Sequence, residues 1–347
     1  MGKTLKIGFI GAGGIARYQM SMLNKIDGVE IVAAADPNQS ALDASKKEQK
    51  IAKTFNDWRE LLAIKDLDAI SVCTPNKLHC EPTVAALKAG KHVLVEKPMA
   101  MNAGEAWKMC EAAKRSKKLL QIAFQWRFTP VAQMLRQQVK SGALGDIQYV
   151  RVQALRRRGI PNWGVFGRKD LQGGGPMIDI GVHLLEMAHY VIGAPNPISA
   201  TGTCYTYLGN KKSDTMCPWP NWDHKTYTVE DLAVGFMKFE TGASLVIESS
   251  FAAHIEKDVF GVQIMGTKGG ATSEPAKIFA DQNGYMMDMT PHYMGQQDSF
   301  EYKMRHFVEC IRNGTKCQAP GKDGWMVQKM LDGIYRSAET GKEVKIG

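Results

Sequence analysis

Three side chains in this sequence could take up, release or hold a proton from within apolar surroundings: Lys97, Asp179 and His183. The last two stand four apart in "GGGPMIDIGVHLLE" (173–186), an apolar run broken by one acid and one imidazole. Residues at i and i+4 share a helix face, so both would project the same way. Lys97 closes "HVLVEK" (92–97), an apolar-dominated strand pattern followed by Pro98. An imidazole titrates near working pH and can exchange a proton. An ammonium can stabilise developing negative charge. A carboxylate can accept a hydrogen bond from a hydroxyl. Each residue also has a plainer reading taken alone: His183 as a satisfied core histidine, Asp179 as a carboxylate favoured by a helix dipole, and Lys97 as a surface lysine.

The elements that must position these groups follow from periodicity. Over the first 125 residues, apolar runs "LKIGFIG", "IVAAAD", "LDAISVCTP", "HVLVEKP" and "LLQIAF" alternate with helical stretches. That alternation predicts an α/β doubly wound parallel sheet. "GFIGAGGIA" supplies Gly11, Gly13 and Ala16, a G-x-G-x-x-A pattern between the first strand and its helix. Gly11 permits the tight turn, Gly13 lets a pyrophosphate approach, and Ala16 allows close helix–strand packing. The amides of Gly14 and Ile15 open that helix and would face the phosphates. Asp36 ends the second strand, about 20 residues on, where a carboxylate bonds a ribose 2′-OH and repels a 2′-phosphate. Pro37 and Asn38 follow it with no arginine, so NAD is predicted over NADP. Further candidates for the cofactor are Thr74, Pro75, Asn76 and His79 of "CTPNKLH", Glu96 and Lys97 of "EKP", and Gln125, all at or just beyond strand ends.

After residue 126 the texture changes to a helix, an alternating strand, the 173–186 segment, then strand runs joined by turns such as "FETGAS". The predicted division is a nucleotide-binding domain over 1–126 and an α+β substrate and oligomerisation domain over 127–347, with an open, mostly antiparallel sheet. The stretch 209–226 reads as a long surface insertion. In "RRRGIPNWGVFGRKDLQGGGP", Trp163 and Phe166 offer flat faces for a sugar ring, and Arg156, Arg157 or Arg158 could donate to hydroxyls or to an anionic group. Arg157 could equally pair with a surface carboxylate. Arg127, in "FQWRF", is a further substrate candidate that could instead be packing.

Bulk properties narrow the class. The chain has 347 residues, enough for about two domains. No run approaches the ~18 apolar residues a bilayer span needs. The N-terminus runs straight into a strand without a signal or twin-arginine pattern, so a cytoplasmic enzyme is expected. The seven cysteines lack CxxC spacing, which argues for reduced thiols and against a zinc ribbon. His224, His254 and His292 are isolated, so no metal is expected. The +9 charge is the sole hint of nucleic acid, and its densest run, 114–118, suits a helix end.

Taken in order, "GxGGIA", the strand-end aspartate, "CTPNKLH", "EKP" and "GGGPMIDIGVH" resemble the glucose–fructose oxidoreductase/inositol dehydrogenase (Gfo/Idh/MocA) family along the whole chain. The resemblance implies a Rossmann domain joined to an α/β domain whose open sheet packs against another subunit, giving a homodimer or homotetramer. It implies a catalytic set of Lys97, Asp179 and His183, and NAD-dependent oxidation of a sugar, glycoside or cyclitol. The arginine-rich loop is similar to that of members oxidising the C3 hydroxyl of pyranosides. Alternatives are a hydrolase or lyase with transient C3 oxidation and no net redox change, a myo- or scyllo-inositol dehydrogenase, and a non-enzymatic NAD-binding sensor. The presence of both Lys97 and His183 argues against the sensor.

Overall fold

A computed structural model describes residues 4–346, so residues 1–3 of the N-terminal stretch screened for a leader lie outside the described residues. The chain forms two compact units. The first comprises Met1–Gln125 and Asp298–Trp325, the second Trp126–Gln297 and Met326–Gly347. The expected division at 126/127 differs from this at Trp126 and over residues 298–325. The reason is apolar packing. The helix Ser299–Asn313 carries Met304, Phe307 and Val308 into the core formed by Leu5, Ile7, Met20 and Leu23, and Phe300 meets Tyr18 edge-on at 5.0 Å.

The first unit holds six parallel strands: β1 (Leu5–Ile10), β2 (Val29–Ala35), β3 (Lys53–Phe55), β4 (Ala69–Val72), β5 (His92–Val95) and β6 (Leu120–Ile122). Their order is β3-β2-β1-β4-β5-β6, a doubly wound sheet. The short β3 has no counterpart among the apolar runs read from sequence. β4 is buried along its whole length and β1 nearly so, as expected of strands covered on both faces. Val72 registers with Val95, so the segments after β4 and β5 leave the same sheet edge side by side.

The second unit is built on nine strands: β7 (Ile147–Leu155), β8 (Pro197–Tyr205), β9 (Leu232–Phe239), β10 (Ser244–Ser250), β11 (Val259–Gly266), β12 (Gly269–Ser273), β13 (Ala276–Gln282), β14 (Tyr285–Met289) and β15 (Val344–Lys345). They run in the order β14-β13-β12-β11-β7-β10-β9-β8-β15. Only β7 and β10 pair in parallel, so the sheet is mostly antiparallel, as predicted. The "FETGAS" turn joins β9 to β10. β9 alternates: Ala233, Gly235, Met237 and Phe239 are buried, while Val234 and Lys238 are exposed.

Candidate active site

In the first unit the glycine turn follows β1. Gly11 has φ +96°, and a Cβ there would lie 2.5 Å from the Cys73 carbonyl oxygen, so only glycine fits. The helix Gly14–Leu23 begins with no side-chain cap, and nothing lies within 4 Å of a Cβ built at Gly13 or Gly14. An uncapped helix N-terminus facing open space fits a pyrophosphate. Ile15 is partly exposed beside it. Asp36 braces the turn: its Oδ2 accepts from the Ala12 amide at 2.8 Å and its Oδ1 from the Asn38 amide at 2.8 Å. The residues present therefore fit NAD.

The segments after β4 and β5 complete this edge. Thr74, Pro75 and Asn76 follow β4, and the Thr74 hydroxyl donates to the Leu78 carbonyl at 3.1 Å. His79 corrects one expectation. It is fully buried, with its ring nitrogens 2.9 Å from the Pro98 carbonyl and 2.8 Å from the Thr74 carbonyl. It ties the two segments together rather than reaching a cofactor. Burial lowers its pKa, against the pull of those carbonyls and of Glu96. Gln125, after β6, is also buried.

Lys97 is the sole residue from Val93 to Ala100 that is not buried. The cis Lys97–Pro98 peptide follows it. Glu96 faces inward beneath it, contrary to the expected cofactor contact. One carboxylate oxygen accepts from the Lys97 amide at 3.2 Å and the other from Gln19 Nε2 at 2.5 Å. The Lys303 ammonium, wholly enclosed, lies 3.6 Å from that second oxygen. Ser71 donates to Gln19 Oε1 at 2.7 Å. Gln19 and Lys303 went unnoticed in the sequence. A lysine buried on the apolar side of an amphipathic helix was the available signal.

In the second unit the same contrast recurs. From Gly174 to His189 every residue is buried except Asp179 and His183. The segment is a single helical run, with a π-helical turn over Met177–Gly181 leading into the α-helix Val182–Val191. Such turns are frequent at functional sites. Trp126 stacks on the His183 ring, centroids 6.0 Å apart and planes at 30°. The glycines before the helix serve close packing rather than flexibility. A Cβ at Gly174 would collide with the Tyr335 hydroxyl, and one at Gly175 with the Glu230 carbonyl. The buried Glu230 carboxylate accepts from the Gly175 amide at 2.9 Å, the Met177 amide at 3.3 Å and the Tyr335 hydroxyl at 2.7 Å. Burial raises its pKa, and these donors oppose the rise.

Around this helix the substrate candidates separate. Arg156 is near enough to feel the Asp179 charge: burial lowers its pKa, while Asp179 and Asp258 pull it upward. Trp163 is half-exposed, at 51%. Arg127 is a correction. It is fully buried, its Nε donates to Glu186 Oε2 at 2.6 Å, and its guanidinium lies 4.9 Å from the Tyr190 ring centroid. It is a core ion pair, out of reach of a substrate. Arg157 is exposed, and its Nη1 donates to the Glu256 carbonyl at 2.8 Å.

His306, Cys310 and Cys317 bring their donor atoms within 4.8 Å of one another, a juxtaposition the scattered cysteines did not suggest. His306 Nε2 accepts from the Gln318 amide at 2.9 Å and lies 3.3 Å from Cys310 Sγ. The cluster thus forms a hydrogen-bonded tie between helix and loop.

Comparison with known proteins agrees with this architecture. The profile of an oxidoreductase family with an NAD-binding Rossmann fold matches residues 5–124, and that of the GFO/IDH/MocA C-terminal domain matches residues 132–272. The chain belongs to the GFO/IDH/MocA family. It is 37% identical to the D-glucoside 3-dehydrogenase of Escherichia coli, over 99% of this chain and 97% of that one. It is 25% identical to the myo-inositol 2-dehydrogenase of Thermotoga maritima, over 99% and 98%. Among solved structures, the aldose-aldose oxidoreductase of Caulobacter crescentus superposes with a TM-score of 0.82 at 25% identity, covering 99% of this chain and 100% of the other. As a GFO/IDH/MocA member with this Rossmann domain, the chain is an NAD-dependent oxidoreductase. Among the described residues no helix is long and apolar enough to cross a membrane.

Proposed function

We propose that the protein oxidises a secondary hydroxyl of a glycoside, sugar or cyclitol, with the C3 hydroxyl of a glucoside as the leading target. The observation that carries this reading is the exposure pattern. Lys97, Asp179 and His183 are the exceptions in otherwise buried runs, so each reaches solvent at the cost of a dry position for an apolar side chain. The 37% identity to a D-glucoside 3-dehydrogenase supports the choice of carbon.

NAD, held by the glycine turn after β1 and by Asp36, would supply the hydride-accepting chemistry. His183, flanked by the Trp126 ring, takes the hydroxyl proton. Lys97 donates a hydrogen bond to the reacting oxygen and stabilises its developing negative charge. Asp179 accepts from the adjacent hydroxyl and sets the carbon presented. Arg156 offsets the charge of Asp179.

Incubation with NAD and a panel of glucosides, free hexoses and inositols tests this reading. NADH formation with a 3-keto glucoside as product is expected. No NADH with any member would overturn it, and aglycone release without NADH would favour internal redox chemistry instead.

We further propose a cytoplasmic homodimer or homotetramer assembled through the outward face of the nine-stranded sheet. Val234 and Met265 on that face, with Ile198 and Tyr205 on β8, are exposed apolar side chains.

A further inference from the structure

The insertion 209–226 and the loop after β7 meet through two tryptophans that the chemistry above does not use. Trp163 and Trp219 pack edge-to-face with centroids 4.8 Å apart, and Phe166 flanks Trp163 at 6.2 Å. Asn162 Nδ2 donates to the Pro220 carbonyl at 2.8 Å, fastening loop to insertion. The base of the insertion is also fixed. Trp222, buried, donates from Nε1 to the Gly209 carbonyl at 2.8 Å, and the Asp231 carboxylate accepts from the amides of Tyr207, Leu208 and Gly209. Such anchoring holds the tryptophans in place, yet Trp163 keeps half its surface open and Trp219 is only partly covered.

One residue links these rings to the catalytic helix. The Arg156 guanidinium lies 4.9 Å from the Trp219 ring centroid. Its backbone amide donates to the Ser250 carbonyl at 3.0 Å, and the neighbouring Ser249 hydroxyl donates at 2.8 Å to the Pro176 carbonyl that opens the helical run carrying Asp179. The order Asp179, Arg156, Trp219, Trp163 therefore passes from a hydroxyl-binding acid to a flat apolar surface. A single pyranose ring needs the acid, and a molecule extended beyond that ring would meet the aromatic surface.

We propose that Trp219 and Trp163 form a subsite for the aglycone, or second ring, of a glycoside whose reacting ring is oriented by Asp179. This rests on the glycoside reading given above. Planar aglycones and the C–H faces of sugars both pack against indole rings, and the anchored pair offers such a face at low ordering cost.

Phenyl and methyl glucosides of one anomer test the subsite. Removing the Trp219 ring, Trp219→Ala, should lower the phenyl-to-methyl ratio of kcat/KM by ~10-fold, chiefly through KM for the phenyl compound. Trp219→Phe should retain most of the ratio. An unchanged ratio in a Trp219→Ala protein whose unfolding midpoint matches the wild type overturns the subsite. Trp163→Ala, at a half-exposed position, answers the same question where Trp219→Ala is destabilised. If the wild type oxidises neither glucoside, the glycoside reading fails by itself. Tryptophan fluorescence with NAD present then decides the subsite: saturable quenching by phenyl glucoside, lost in the variant, upholds it, and no quenching overturns it.

Discussion

Lys303 and Glu96 form a buried ion pair, the ammonium 3.6 Å from the carboxylate, directly beneath the residue assigned to stabilise the alkoxide. Burial lowers the Lys303 pKa, and the Glu96 charge opposes this. Glu96 also accepts the Lys97 amide, so the pair sets the backbone from which the Lys97 side chain departs. Removing one partner leaves a buried charge without compensation. Lys303→Met should cost about 3–5 kcal/mol in urea unfolding. The double variant with Glu96→Gln should cost less than the sum of the two single changes, the mark of direct coupling.

Lys97→Ala and His183→Ala should each lower kcat by at least ~10²-fold, with the NAD dissociation constant changed only a few-fold. Steady-state kinetics and a separate NAD titration check the two halves of this statement. Turnover near the wild-type value in either variant would remove that residue from the mechanism.

The Asp36 charge is expected to set cofactor choice. The hydrogen bonds that its carboxylate accepts from the Ala12 and Asn38 amides keep it at the end of β2 beside the glycine turn. Asp36→Asn keeps an acceptor and removes the charge. The preference for NAD over NADP, measured as a ratio of kcat/KM, should fall by roughly 10-fold or more. A ratio equal to the wild type would place the discrimination elsewhere.

Stability should decline below pH 6.5, the ordinary histidine pKa. His92 Nδ1 accepts from the Leu119 amide at 3.1 Å and His306 Nε2 from the Gln318 amide at 2.9 Å. Both rings must stay neutral to accept, and burial lowers both pKa values. With the folded pKa below the unfolded one, the unfolded chain binds the extra proton. The stabilisation is therefore complete above pH 6.5 and is lost as pH falls toward the lowered values. Thermal unfolding at a series of pH values should show this fall, with a shallower slope in a His92→Gln, His306→Gln variant.

The residues proposed for the chemistry are legible in the sequence because their signals are local. Gly11, Gly13 and Asp36 announce themselves through spacing around one strand–turn–helix, and Asp179 and His183 through contrast with an apolar run. What sequence concealed depends on distant partners. Arg127 looked like a ligand group until Glu186 was seen to meet it inside the core. His79 looked accessible until two backbone carbonyls enclosed it. The helix Ser299–Asn313 reads as amphipathic anywhere, and only its apolar fit against β1 and the helix Gly14–Leu23 assigns it to the first unit. Trp219 sat in a segment that reads as insertion, where periodicity says nothing.

The hydroxyl of Tyr335 fills the space that a side chain at Gly174 would need, and it also donates to the acid that holds the start of the helical run carrying Asp179 and His183. A residue of the helix Gly321–Thr340 thus decides where that run begins, far upstream in sequence. Slackening this helix should shift both side chains together, with neither of them replaced.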